Sequence, residues 1–323
     1  EAETRLKLYL LRKERGPDPV DPASLTVAQA LVLYGEKKAG KVEDPARIGY
    51  AIAALDTFWG DLPVHEITSD MCDLYCETRG VSLGTLRREL GCLKAAINFA
   101  LPPGLARPAI SMPDKPPSKD RWLTRDEAAR LLRAARRHPE TRHLTRFILL
   151  KLYTGSRKTV LLRLKYMEHA GGGWVDLENG FLYRKPRGSK ATKKRAPSVR
   201  IPKRLLAHLK RWRKTSASGW VVEHEGCGVA SVKTAWKRIA KEAGLPEVTP
   251  HTLRHTAVTW AMQIGADKWE ICGFFGMSMR TLEETYAHHH PDYQSDAVDA
   301  ANRGGRRDRE PDPDRWSPSK RRT

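Results

Sequence analysis

Apolar residues recur every three or four positions in several stretches of the chain, which is the periodicity of an α-helix with one buried face. The clearest stripe lies between Thr85 and Ala100 and consists of Leu86, Leu90, Leu93 and Ile97. Shorter amphipathic stretches begin near Ser24, Ile48 and Ser69. The pattern predicts an all-helical N-terminal domain over residues 24–104.

Prolines and charged residues set this domain apart from its surroundings. Residues 1–23 are charged and contain three prolines, so we predict an N-terminal arm there. A Pro- and Gly-rich segment follows the apolar stripe. Because proline lacks the backbone donor that a helix needs, we place an interdomain linker at 105–120. The tail 301–323 is basic and almost free of apolar residues, which predicts disorder.

Helical and strand-like stretches mix in residues 121–300. Thr124 and Glu127 have the spacing of a capping box ahead of an apolar helix. From Lys203 onward the pattern is again helical, and one of these helices is predicted to start near Pro250. Residues 121–300 are therefore expected to form a second domain.

The strand-like residues of this second domain lie on both sides of Asn179-Gly180. This dipeptide suits the positive φ angles of a tight hairpin, and residues 198–202 can supply a third strand. The whole chain is thus predicted to be mainly α, with an all-helical domain followed by a mixed α+β domain that contains a small antiparallel sheet.

The charge balance indicates a polyanionic partner. Lys and Arg outnumber Asp and Glu by 58 to 38, and the formal net charge is +20. Nucleic acid is the first expectation and a membrane surface the second. No apolar run approaches the ~20 residues that span a bilayer, and the N-terminus lacks the apolar core of a signal peptide, so we expect a cytoplasmic protein. Five scattered cysteines favour reduced thiols over disulfides or a zinc site.

Basic residues are concentrated from the predicted hairpin into the helix after it. Residues 184–214 contain fourteen Lys and Arg and no Asp or Glu. Such a block would repel itself without an anion, so it predicts a surface that faces double-stranded DNA. The candidate contacts are Lys190, Arg195 and Arg200 in this block, and Arg87 and Arg88 in the N-terminal domain. The last two are equally plausible as charges that face solvent.

The strongest chemical signal comes from His251, Arg254 and Tyr286. His251 and Arg254 are three residues apart near the start of a predicted helix, so they share a face close to an end that favours anions. An arginine there can bind a phosphate through two parallel hydrogen bonds. Tyr286 follows Arg254 by 32 residues. Together these residues predict a site that binds a phosphate group and acts on it.

These residues resemble the motifs of the tyrosine recombinases, the phage integrase family. The segment 251–255, HTLRH, is similar to the H-x-L-R-H box of that family, and Tyr286 to its nucleophile. The segment 154–157, TGSR, matches the T-G-x-R motif that ends in the first catalytic arginine, here Arg157. The family's lysine lies in a hairpin turn about eight residues before a strand proline. Lys194 occupies that position, with Lys193 as the adjacent alternative.

The resemblance implies site-specific strand exchange by an integrase of the prophage or mobile-element type, encoded by a bacterium or a phage. It further implies a homotetramer on two DNA duplexes and a Holliday-junction intermediate. An N-terminal core-binding domain and a C-terminal catalytic domain would enclose the DNA. No metal or other cofactor is expected.

The same residues give a coherent mechanism from their chemistry. Arg157 and Arg254 would neutralise the oxygens of a phosphodiester, which otherwise repel a nucleophile. Tyr286 must lose its proton as it attacks, and His251 is the candidate base. Lys194 would protonate the departing 5′ oxygen. The resulting 3′-phosphotyrosyl link stores the energy of the broken bond, so a second DNA hydroxyl can displace the tyrosine.

Two positions depart from the family pattern. Met277 lies nine residues before Tyr286, where the family often has His or Trp, and Met cannot donate a hydrogen bond to the phosphate. His288 is a candidate for that missing donor. Val160 replaces an acidic residue often found three after the first arginine. His255 is expected to be a core or supporting histidine.

Two rival functions use the same residues. A type IB topoisomerase cuts and reseals one strand by the same chemistry, but the short chain and the H-x-L-R-H box favour a recombinase. A degenerate integrase that binds DNA as an accessory factor would be consistent with the two departures from the pattern.

Overall fold

The structure, a computed structural model, describes residues 24–42, 44–116, 120–189 and 195–303. The chain divides into two compact units, Glu1–Ser118 and Lys119–Thr323. Several predictions fall outside the described residues: the N-terminal arm, the tail after residue 303, and the roles of Lys190, Lys193 and Lys194.

Helices make up the first unit. They are α1 (Val27–Lys38), α2 (Pro45–Trp59), α3 (Ser69–Arg79) and α4 (Leu83–Ala100). Thr26 starts α1 with a capping box, in which the Thr26 hydroxyl and the Gln29 side chain each accept the other's backbone N–H. The predicted stripe on α4 is confirmed, because its four apolar residues are buried in the core of this unit.

The second unit is also rich in helices. They are α5 (Arg125–Arg137), α6 (His143–Thr154), α7 (Lys158–Leu162), α8 (Lys203–Thr215), α9 (Lys233–Glu242), α10 (Thr252–Gln263), α11 (Lys268–Phe275), α12 (Met279–Tyr286) and α13 (Ser295–Arg303). The predicted capping box of α5 is confirmed, since Thr124 and Glu127 bond to each other's backbone N–H. Helix α13 extends to Arg303, into the segment predicted as tail.

A small antiparallel sheet follows α7 in the chain. Its strands are β1 (Trp174–Asp176), β2 (Phe181–Tyr183) and β3 (Val199–Arg200), in the order β1-β2-β3. Leu182 pairs with Val175 on one side and Val199 on the other. This confirms the predicted fold class, mainly α with a small antiparallel sheet.

The turn between β1 and β2 is wider than predicted. Four residues, 177–180, connect the strands, and of these only Gly180 has a positive φ, 71°. The Asp176 carboxylate accepts the backbone N–H groups of Glu178 and Asn179, which stabilises the longer turn. The two-residue hairpin expected from Asn179-Gly180 is therefore wrong.

Two apolar clusters stabilise the second unit. The larger one joins α5, α6, the sheet and α8 to α10, and the smaller one lies among α10, α11 and α12. A second pair of strands, β4 (Glu223–His224) and β5 (Cys227–Gly228), was not predicted.

In the part of the chain that the structure describes, no helix has the length and apolar character that crossing a membrane requires.

Candidate active site

Arg157 is positioned by a glycine turn at the end of α6. The helix ends at Thr154, and Gly155 follows in the left-handed conformation with φ 57°. A side chain at Gly155 would also clash with the ring of Phe275, so glycine is required twice over. Arg157 then precedes α7, is half-buried, and donates to the backbone carbonyl of Arg195 over 2.7 Å.

Arg254 on α10 is buried and held rigidly. Its two terminal nitrogens donate to the carbonyls of Gly155 and Phe275, each over 2.7 Å. Burial and, after it, the charge of Arg157 lower the pKa of Arg254 to about 10, which still leaves the group charged at neutral pH. The structure thus brings the two predicted arginines together through the same glycine turn.

Arg184 is a structural residue that the sequence did not reveal. It follows β2, is buried, and its guanidinium donates to the Ser156 hydroxyl and to the carbonyls of Thr154, Phe274 and Pro197. Burial, followed by the charges of the neighbouring arginines, lowers the pKa of Arg184 to about 9. It was counted with the DNA-facing basic block. That interpretation is wrong for Arg184, because its side chain is buried.

Tyr286 is the last residue of α12 and is only 4% exposed. Its phenol oxygen lies 2.8 Å from Nδ1 of His255 on α10. Burial shifts the pKa of both groups. It is the largest cause of the raised pKa of Tyr286, about 12, and of the lowered pKa of His255. Both groups are therefore neutral near pH 7, and the phenol donates to Nδ1 in the tautomer of His255 that has its proton on Nε2. His255, expected to be a core or supporting histidine, contacts the candidate nucleophile directly.

His251 lies immediately before α10 and beside His255. The two rings meet edge to face, with their centroids 4.8 Å apart. Although His251 as a whole is exposed, partial burial of its ring is the largest cause that lowers its pKa to about 4, followed by His255 and the nearby cations. The predicted base is thus neutral near pH 7, and His255 contacts both the ring of His251 and the phenol of Tyr286.

The cationic groups of this site have no acidic partner. Arg184 and Arg254 are buried and Arg157 is half-buried, yet none of the three forms an ion pair with a carboxylate of the described residues. Unpaired buried charge is costly, so the site is stabilised when an anion binds. Two adjacent, fixed guanidinium groups suit the oxygens of a phosphodiester.

The two departures from the family pattern have apolar surroundings. Met277 is buried in the same cluster as Leu282 and Tyr286, where its thioether fills space beside α12. Val160 lies half-buried on α7, one turn after Arg157. Neither position supplies a polar group to the site.

His288 is bonded to an acid rather than left free beside Tyr286. Its Nε2 lies 3.1 Å from Oδ2 of Asp120, and Nε2 of His289 lies 3.6 Å from the other oxygen. These three residues place possible metal-ligand atoms within 4.8 Å of one another. The sequence pattern did not reveal a carboxylate for such a set, because Asp120 is far away in the chain. The hydrogen bond of His288 to Asp120 and the approach of His289 to the same carboxylate account for the arrangement.

The candidate DNA contacts differ in exposure and in the contacts that their side chains already make. Arg195 and Arg200 are exposed, and Arg200 also lies over the ring of Phe181. Arg88 is exposed on α4. Arg87 is half-buried and donates to the carbonyl of Pro113, which gives it a structural contact within the first unit.

The arrangement of arginines, histidines and tyrosine agrees with a comparison of sequences. A sequence model described as the Phage integrase family matches residues 121–292. The chain belongs to the phage integrase family. Tyrosine recombinase XerA of Thermococcus kodakarensis is 32% identical over 238 residues, covering 70% of this chain and 78% of the relative. XerA of Pyrococcus furiosus is 29% identical over 235 residues, covering 69% and 76%.

Solved integrase structures share the fold. The Tn1549 transposon integrase in complex with transposon right end DNA has a TM-score of 0.71 at 16% identity, covering 86% of this chain and 100% of that one. A lambda integrase tetramer bound to a Holliday junction has a TM-score of 0.60 at 16% identity, covering 86% and 85%. The family expectation is confirmed: this recombinase is a DNA-breaking and rejoining enzyme that acts by site-specific recombination.

Proposed function

We propose that Tyr286 cleaves DNA by attacking a phosphodiester held by Arg157 and Arg254. The observation that carries this proposal is the contact of the Tyr286 phenol with Nδ1 of His255, 2.8 Å, beside a group of arginines without acidic partners. The phenol, a proton acceptor and the charges for the phosphate oxygens thus lie in one place.

Bonds and protons balance in this reaction. The Tyr286 oxygen bonds to phosphorus and gives its proton to His255, with His251 next to it as the second imidazole. The bond from phosphorus to the 5′ oxygen breaks, and Lys194, or Lys193, protonates that oxygen. A 5′ hydroxyl of another strand later reverses these steps and releases Tyr286. Arginines supply the positive charge at the phosphate, so the steps need no metal or cofactor.

The two units would have different roles, DNA binding and catalysis. We assign DNA binding to the helical residues 24–104, with 105–120 as linker, and catalysis to residues 121–300. We further propose a homotetramer on two recombination sites, which the family and the lambda integrase tetramer on a Holliday junction support. A bacterial or phage gene and a cytoplasmic place of action stay predictions.

Covalent capture tests the proposal and does not require a defined recombination site. Duplexes that are randomised in sequence and carry a nick would be incubated with the protein in EDTA, and complexes that resist SDS would be recovered over several rounds. We expect adducts on a family of related sequences, because the arginines replace the charge of a metal. Binding without any adduct would favour the accessory-factor rival. Relaxation of supercoiled plasmid without strand exchange would favour the topoisomerase.

The candidate basic contacts of the hairpin region are expected to bind the DNA backbone. Replacing Lys190, Arg195 and Arg200 by Gln should weaken binding to all duplexes alike. The slope of log affinity against log salt should fall by about one unit for each phosphate that the variant no longer binds. Fluorescence anisotropy with the selected duplex and a scrambled one measures both quantities.

Arg137 and Arg238 provide the matched control for this experiment. Both are exposed, but each is already paired with a carboxylate, at 2.8 and 2.6 Å. Their replacement by Gln should leave the salt slope unchanged. A loss confined to the selected duplex in the first variant would show that the hairpin reads bases instead of the backbone.

A further inference from the structure

A buried lysine lies beside the phosphate site and has no role in the mechanism above. Lys151 belongs to α6, in an apolar stretch between Leu150 and Leu152, and is only 1% exposed. Among the residues described, its ammonium has no hydrogen-bond or ion-pair partner. Lysine is almost never fully buried unless it is paired.

The position of Lys151 links it to both catalytic arginines. Its backbone carbonyl accepts the N–H of Gly155 over 2.8 Å, and the carbonyl of Gly155 holds Arg254. Helix α6 packs against α10, which bears Arg254. The charges that act on Lys151 are those of Arg254 first, then Lys158 and Arg157. Lys151 in turn acts on the two imidazoles of the site.

No acid among the described residues of the surrounding elements acts on Lys151, and Asp126 on α5 is exposed. Glu127 on α5 is paired with Arg121 at 2.7 Å, and Glu140, in the turn before α6, with Arg238 at 2.6 Å. Helix α8 contains no acidic residue. Asp120 acts on Tyr286 and His255 but not on Lys151. The neighbours of Lys151 are therefore positively charged or neutral.

This environment lowers the proton affinity of the Lys151 side chain. Burial and, after it, the neighbouring cations lower the pKa of Lys151 to about 7. An apolar side chain of similar length would fill the same space without this cost. A residue that lowers the stability of the free protein, on a helix packed against the one that bears Arg254, is best explained by a function that appears when an anion binds.

We infer that Lys151 is a further phosphate-binding residue, whose side chain, buried and unpaired among the described residues, adds a third positive charge at the DNA phosphate between Arg157 and Arg254. Because the pKa of Lys151 is lowered in the free protein, we expect it to take up a proton from solvent as the phosphate binds. The inference rests on the proposed function, since it takes a DNA phosphate to be the missing anion.

Calorimetry of DNA binding tests this inference directly. Tyr286→Phe protein, with and without Lys151→Met, would bind the selected duplex at pH 8 in buffers that differ in ionisation enthalpy. The dependence of the binding enthalpy on the buffer gives the number of protons taken up. We expect about one proton more when Lys151 is present, because its pKa rises beside an anion. Lys237→Met, at an exposed lysine of α9 that is not among the charges acting on Lys151, is the control and should not change proton uptake.

Stability without DNA gives an independent readout. An unfolded lysine has a pKa of ~10.4, so the lowered pKa in the folded state means that unfolding takes up protons between pH ~7 and ~10. The contribution of Lys151 to the free energy of unfolding is therefore greatest at high pH, where its side chain is neutral in both states. It decreases as pH falls towards 7, because only the unfolded state binds the proton. Lys151→Met should be more stable than wild type at pH 7, and the gap should narrow towards pH 9.5.

Cleavage completes the test. Lys151→Met should form adduct about tenfold to a hundredfold more slowly than wild type, which corresponds to one lost charge-assisted bond. Equal proton uptake with and without Lys151, or a Met variant less stable than wild type at pH 7, would overturn the inference. If wild type itself forms no adduct, the proposed function fails instead.

Discussion

Tyr286→Phe is expected to abolish covalent attachment to DNA while DNA affinity stays close to that of wild type. The change removes the attacking oxygen and keeps the ring that packs with Leu282 and Met277. Because the nucleophile itself is lost, adduct formation should slow by about 10⁴-fold or more. Electrophoresis in SDS measures the adduct on the selected nicked duplex, and anisotropy measures the affinity.

Tyr293→Phe is the matched control. Tyr293 follows α12 by a few residues and is 47% exposed, so it is the nearest alternative tyrosine. Its replacement should leave adduct formation unchanged. If the adduct instead persisted in Tyr286→Phe and vanished in Tyr293→Phe, the nucleophile would have to be reassigned.

Arg254→Lys is expected to slow adduct formation by about 10²- to 10³-fold, the cost of removing one donor to a charge that develops in the transition state. Arg254 uses two nitrogens to hold the carbonyls of Gly155 and Phe275, and in the proposed mechanism its remaining donors bind the phosphate. A lysine has one nitrogen and cannot do both. Single-turnover cleavage rates, with thermal unfolding measured in parallel, separate the catalytic loss from any loss of stability.

Arg280→Lys is the control for this change. Arg280 lies on α12, the helix that ends at Tyr286, but it is exposed and paired with Glu284 at 2.6 Å. Its cleavage rate should match that of wild type. An Arg254→Lys enzyme as fast as wild type would show that Arg254 is a structural residue of the glycine turn and not a phosphate ligand.

Local patterns were enough to predict much of the fold. The stripe on α4 and the capping box of α5 depend on residues three or four apart, and both are found as expected. The hairpin turn was misjudged because the Asp176 carboxylate, by bonding to backbone N–H groups, stabilises a longer connection than Asn179-Gly180 alone predicts. The short strands β4 and β5 have two residues each, too few to show a period.

The candidate site was predicted only where a motif marked it. TGSR and HTLRH revealed Arg157 and Arg254, and the structure brings them together at the glycine turn. The contact of His255 with Tyr286 joins residues 31 apart and had one hint, the four-residue step from His251, which lies just before the same helix. That step predicted only a core or supporting histidine.

Other residues of the site gave no local signal. Arg184 looked like one more member of a basic block, and only its contacts with residues from distant parts of the second unit show that it is structural. Asp120 pairs with His288 from 168 positions away. Lys151 differs from these residues, because it is the single charge within the apolar run 147–153 of α6, which is unusual enough to be worth testing in any such sequence.

Mass spectrometry of the trapped complex tests the central claim most directly. After nuclease and trypsin digestion, the peptide Thr281–Arg303 contains both Tyr286 and Tyr293. Fragmentation then shows which tyrosine has a nucleotide attached. We predict a nucleotide linked through its 3′ phosphate to Tyr286. A nucleotide on Tyr293, on a serine or on any residue outside this peptide would contradict that assignment.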